Sequence, residues 1–307
     1  MLHYTLKRIA IAVPTILILI VLSFALMHSA PGSPFTGERP LPPEVLANLE
    51  AKYGLDRSFP EQVARYVWRI VTDFDFGPSY SHHDRTVNEI IAQGFPVTLT
   101  YGSLAFLFSI LAGTGLGIAA AVYRKTWLDS LAVGVSVGAQ VLPNFIMAPI
   151  LVLIFTLWLG WLPGGGWQGG QWPYLIMPVI ALATSFMASI ARITRSSMIE
   201  TLNSDFILTA RSKGLPFRQV VIRHAMKPAL LPVISYLGPT FVGLITGSVV
   251  IDIYFSTGGI GQHFVNAAIN RDYPLIMGVT ILTGILTVLF NLLVDILYVW
   301  IDPRIRY

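Results

Sequence analysis

Six long apolar runs, separated by more polar stretches, constrain this chain more than any other feature. They lie at 9–27, 101–122, 131–158, 174–190, 233–251 and 275–300. At about 1.5 Å of rise per residue, an apolar helix of this order crosses a hydrocarbon core of about 30 Å. The reading is an all-α polytopic membrane protein with six transmembrane helices. Composition agrees: 54% of residues are hydrophobic and 12% charged, with a mean hydropathy of +0.67. Soluble domains are about one quarter charged. The chain has no cysteine, which excludes disulfides, thiolate metal sites and cysteine nucleophiles within it. The net charge of +4 sits in short loops beside apolar runs, so it marks topology and not a nucleic-acid partner.

Lys7 and Arg8 precede the first run and place its start in the cytoplasm. A cleaved leader is the alternative, because a basic start, an apolar stretch and Ser29-Ala30 resemble one. The length of the run and the unsuitable His28 favour a retained helix. Residues 31–96 differ in kind, being proline-rich and slightly acidic, and they read as a small exported helical domain. Pro43-Glu44 opens a helix that reaches about Tyr53 and ends at Gly54. A second helix is predicted over 61–71, with Val63, Tyr66, Val67 and Ile70 on one face, and a third short one over 87–92. Adjacent side chains in His82-His83-Asp84 rarely converge on one ion, so that triplet reads as a polar turn.

Further along, Gly113-Thr114-Gly115-Leu116-Gly117 lacks the Lys-Ser/Thr of a nucleotide loop and suits close helix packing. Asp129 caps or flanks the third run, which Pro143 and Pro149 should bend. The uncharged, glycine-rich stretch 162–173 carries Trp167 and Trp172 and reads as an outer loop at a membrane interface. His28 and Asp252 stand at membrane edges and call for no special role. Asp295 is the one acid well inside a span, and a structural part is favoured there over a proton relay. There is no P-loop, no His-Glu-x-x-His helix and no Gly-x-Ser-x-Gly elbow.

The loop 192–232 carries Arg192, Arg195, Arg211, Lys213, Arg218, Arg223 and Lys227 against Glu200 and Asp205. A helical run from about Ile199 reaches Lys213, Gly214 ends it in the left-handed conformation, and Pro216 cannot continue it. A second short helix is expected from Phe217 to Met226, closed by Lys227-Pro228. Two short helices meeting at a glycine turn make a shape for docking.

This loop resembles the coupling loop of ABC importer permeases, with Ala210, three residues, Gly214, and then Leu231-Pro232. Leu208-Thr209 stands where the general pattern has Glu-Ala, and Pro228 falls one place late. Ala210-Arg211-Ser212-Lys213-Gly214-Leu215 with Arg223-His224-Ala225 is similar to the peptide-importer branch. So are Tyr53-Gly54-Leu55-Asp56-Arg57 and 75–80, and the run 31–39 is closest to B-type oligopeptide permease subunits. The segment 255–262 resembles the family's outer hairpin, with Gly258 in place of a proline.

The resemblance implies a type I importer permease fold. It divides the chain into 1–30, a cytoplasmic N-terminus and first span; 31–96, the exported domain; 97–301, a five-helix core; and 302–307, a cytoplasmic tail. It also implies a bacterial inner-membrane location with both termini in the cytoplasm. The chain would form half of a peptide pore beside a second, homologous permease. Two cytoplasmic ATP-binding subunits and an exported peptide-binding protein would complete the system, with membrane lipid around it. No cofactor is expected in this chain, since ATP and magnesium would sit in the ATPase subunits. Ala210, Arg211, Lys213, Gly214 and Leu215 are the expected coupling residues, and no substrate-binding residue is assigned. The alternatives are an ATP-independent secondary transporter or channel, against which stands the lack of a repeat and of a midplane acid pair, and an intramembrane enzyme, which lacks a catalytic motif.

Overall fold

A computed structural model describes residues 2–29, 35, 42–82, 84–246 and 248–301, with side chains at all of these except 2–9, 295 and 297–301. The run 31–39 apart from Phe35, His83, the tail 302–307 and the side chains of Lys7, Arg8 and Asp295 lie outside the described residues. Among the described residues the chain is helical, with one isolated antiparallel bridge between Pro78 and Thr86. The helices are α1 (Leu2–Ser29), α2 (Pro43–Tyr53), α3 (Phe59–Asp73), α4 (Val87–Val122), α5 (Trp127–Val141) and α6 (Asn144–Leu151). They continue as α7 (Trp172–Leu202), α8 (Asp205–Ser212), α9 (Phe217–Gln219), α10 (Met226–Thr246), α11 (Ser248–Tyr254), α12 (Ile260–Ile269) and α13 (Tyr273–Ile301). Among the described residues five helical stretches are long and apolar enough to cross a bilayer, and the bent pair α5 and α6 raises the number to six if it is one span. Contacts divide the chain into two compact units, 1–96 with 258–288 and 97–257 with 289–307.

In the first unit, α2 begins on Pro43 and ends where Gly54 adopts φ 70°, its N–H reaching the Ala51 carbonyl. Ile70 of α3 packs with Phe76, Ile90, Leu275 and Ile281 in one core. The expected third short helix is instead the first turn of α4. Thr86 and Glu89 form a reciprocal capping box, at 3.1 and 3.2 Å, that starts a helix of 36 residues. Asp272 is fully buried. It accepts hydrogen bonds from the Ser79 and Ser81 hydroxyls and from the Tyr80, Ser81 and Leu275 amides. One carboxylate thus caps α13 and holds the turn that follows Pro78.

The second unit is built on α7, which packs against α5, α6 and α10. Its core gathers Tyr101, Met177, Leu182, Leu244 and Phe255. The glycines of α4 serve packing: a side chain at Gly113 would meet the Met187 carbonyl at 2.7 Å, and one at Gly117 the Arg195 amide at 3.0 Å. The third run is bent at Pro143, as expected, and sharply. It breaks at Leu142-Pro143, and α5 and the stretch 144–158 meet at 107°. Leu142 leaves the helix at φ −81°, ψ 112°, because a following proline disfavours the helical conformation of the residue before it.

The candidate coupling surface

Helix α7 runs past Arg192 and Arg195 to Leu202, so those two bases belong to a spanning helix and not to a free loop. The predicted helix from Ile199 to Lys213 is interrupted. Asn203 donates a side-chain hydrogen bond to the Ile199 carbonyl at 2.9 Å, Ser204 turns extended, and α8 starts afresh. The second correction lies at Lys227-Pro228. They do not close a helix, because Met226 to Thr246 is continuous helix. A proline removes the bond to the residue four before it. For Pro228 that residue is His224, which lies in a wider π-helical turn, Val220–Ala225.

Helix α8 is held from beneath. Ile207 and Ala210, three residues apart, point inward and pack with Met198, Val220, Val221, Ala225 and Ala229. Leu215 is half-buried against the same cluster. The rest of its surface is open: Phe206 and Leu208, two positions apart and so on different sides of α8, are exposed by 49% and 59%. Arg211, Lys213 and Gly214 are exposed as well. Gly214 takes φ 75°, and a Cβ there would meet nothing within 4 Å. The Arg211 guanidinium lies 5.2 Å from the Phe217 ring centroid, across the turn.

The five expected site residues therefore separate by place. Arg211, Lys213 and Gly214 are presented outward, whereas Ala210 is buried and Leu215 partly so. A buried Ala210 can act only by seating α8. Sequence reading passed over Phe206 and Leu208. The signal was available: a helix of eight residues that buries Ile207 and Ala210 still leaves two large apolar residues for which its own core has no place.

Two more arrangements escaped the sequence reading. Asp129 accepts two bonds from Arg195, at 2.8 and 3.0 Å, and one from the Lys125 amide at 3.1 Å. This ties the start of α5 to α7, the helix that leads into α8. Asp252 is fully buried, and its carboxylate accepts hydrogen bonds from Tyr101, Thr257, Ser248 and Thr98. Spacing along the chain carries neither, since the partners lie 66 and 151 residues apart for Arg195 and Tyr101. Among the described residues there is no group of three or more His, Asp or Glu that could hold a metal ion.

Fold and surface together define a multi-pass helical membrane protein that presents one short helix with exposed apolar residues, followed by a basic turn, packed on the start of α10. Comparison with known proteins gives its family. The family described as "Binding-protein-dependent transport system inner membrane component" matches residues 113–307, and its N-terminal counterpart matches 1–102. The chain belongs to that family and is a membrane-spanning pore component. It is 53% identical over 307 residues to the oligopeptide transport system permease protein OppB of Salmonella typhimurium, covering 100% of both chains. It is 40% identical to the dipeptide transport system permease protein DppB of Bacillus subtilis, covering 100% of this chain and 98% of that one. Among solved structures, the inward-facing MetNI methionine ABC transporter aligns with a TM-score of 0.57 at 17% identity, covering 70% of this chain and 97% of that one. An amino acid ABC transporter solved with histidines aligns at 0.54 and 17%, covering 71% and 95%. The shared architecture is that of type I importer permeases.

Proposed function

We propose that this chain forms half of the translocation pore of an ATP-driven oligopeptide importer and receives its driving force through α8. The full-length likeness to an oligopeptide permease at 53% identity carries this reading. The geometry of the loop supports the way force would enter. Phe206 and Leu208 would seat in an apolar groove of a cytoplasmic ATPase subunit, and Arg211 and Lys213 would meet acids at its rim. Because Ile207 and Ala210 fasten α8 to the base of α10, a displacement of the docked helix passes to the spanning helices. Closure of two ATPase subunits on ATP would thus bias the pore between inward-open and outward-open states. A second permease completes the pore, and an exported binding protein delivers peptide. Both termini lie in the cytoplasm in this arrangement, and ATP and magnesium are held by the ATPase subunits alone.

Gly214→Asp tests it. Asp tolerates positive φ better than most residues, and no atom crowds the site, so the variant is expected to fold. It places a negative charge on the basic docking face, and peptide uptake in cells should fall to background. The neutral, near-isosteric Gly214→Asn should retain uptake. A tagged wild-type chain should capture a second permease and two P-loop ATPases from solubilised membranes, and Gly214→Asp should lose the ATPases. Normal uptake by well-expressed Gly214→Asp would sink the reading.

A further inference from the structure

Residues 31–96 hold nine acids against six bases, yet four of those bases surround one cavity. Lys52, Arg57, Arg65 and Arg69 line a hollow of about 190 Å³ that no acidic side chain lines among the described residues. Arg57 is paired with Glu61 at 2.5 Å, and Arg69 with Asp75. Lys52 and Arg65 have no ion-pair partner among the described residues. Tyr66 also lines the cavity, and its hydroxyl is buried without a hydrogen-bond partner among the described residues. A buried polar group left unpaired is costly, and this one stays a donor because burial, followed by the nearby Tyr80, pushes its pKa well above the ordinary tyrosine value. Two unneutralised cations and an orphan hydroxyl describe the complement of a small, strongly accepting anion.

The floor of the cavity says where such an anion would come from. Phe24 lies near the end of the spanning stretch Ala10–Ser29, and Pro274 is the second residue of the spanning stretch Tyr273–Val294. Both therefore stand where a membrane span meets the polar surface, at the level of lipid headgroups. The hollow is small for a peptide or a drug-sized ligand, whereas a phosphate group fits it. We propose that this cavity binds the phosphate of an anionic phospholipid from the leaflet on which the domain rests, with Lys52 and Arg65 as counter-ions and the Tyr66 hydroxyl as donor. Basic residues at membrane level attract anionic headgroups in the same way. The inference does not depend on what the pore transports.

The test uses the full chain, purified in mild detergent with the subunits that accompany it. Short-chain phosphatidylglycerol, phosphatidylcholine or inorganic phosphate is titrated while thermal unfolding is followed. Phosphatidylglycerol should raise Tm. Lys52→Gln combined with Arg65→Gln should require on the order of thirty-fold more of it for the same shift. Tyr66→Phe supplies a second sign. Without lipid it should unfold at the same or a higher temperature than the parent, since it removes an unpaired hydroxyl. With phosphatidylglycerol it should gain less, which a merely structural role would not produce. Equal shifts in parent and charge-deleted chains would overturn the site. A variant-sensitive shift with inorganic phosphate alone would overturn the lipid as its source.

Discussion

Asp129 and Asp252 lie in the same compact unit and are both buried, but they are satisfied by opposite means. Asp129 faces a guanidinium that reaches it in two bonds from another helix. Asp252 takes its hydrogen bonds from the hydroxyls of Tyr101, Thr257, Ser248 and Thr98. The difference follows from depth. At the start of α5 an arginine can leave its stem along the helix and keep part of its head in water; Arg195 is 32% exposed. Where the carboxylate is fully enclosed, dispersing its charge over several neutral donors avoids burying a second ion. The lesson is that a buried acid in a membrane protein need not announce a proton path, since both of these do structural work.

The strongest way to break the comparison is to remove the enclosed acid. Asp252→Ala removes the acceptor that the Tyr101 and Thr257 hydroxyls share in a closed space, while Ser248 keeps the Ile245 carbonyl at 2.7 Å, and should cost about 3 kcal/mol or more. Thermal unfolding of the detergent-solubilised chain measures it, and an unchanged Tm would show that the hydroxyls find other acceptors. Arg195→Ala comes next, at about 1–3 kcal/mol, because Asp129 would be left partly buried and unpaired. Here the double change Asp129→Ala with Arg195→Ala should recover most of the loss. If the double variant is as unstable as the sum of the singles, the pair is not the reason.

The smallest effect sharpens the contrast with an exposed pair. Burial alone would raise the Asp75 carboxyl, but hydrogen bonds from Arg69 and the Gly77 amide, with the Arg69 charge, outweigh it and hold the pKa below the ordinary aspartate value. A carboxyl lowered in the folded state stabilises above its unfolded pKa of about 4 and loses that contribution as pH falls through the folded value. Asp75→Asn should therefore cost less than about 1 kcal/mol at pH 7, and the difference from the parent should vanish at strongly acid pH. A constant difference from pH 7 to pH 3 would show that the Asp75 charge is not what matters.

Much of this molecule was legible in its residues. Apolar runs announce spanning helices because the bilayer has no partners for open backbone groups. Pro43 and Gly54 mark the ends of α2 through their own backbone preferences. Gly214 stands at φ 75°, where the turn into Pro216 requires it. Local chemistry decides these features, so one chain suffices to read them. Prolines show the limit. Pro143 breaks the chain by 107°, while Pro228, Pro232 and Pro239 lie within continuous helix, and before Pro228 a π turn absorbs what the proline removes.

What tertiary structure alone decided is which side chains meet. That Ala210 seats α8 while Phe206 and Leu208 face outward depends on where α10 begins. That Asp129 finds Arg195, Asp252 finds Tyr101, and four scattered bases of an acidic segment surround one hollow depends on contacts between residues far apart in the chain. Periodicity and turn chemistry act over a few residues, whereas charge neutralisation and burial act across space, so the sequence carries the elements and only the packed fold pairs them.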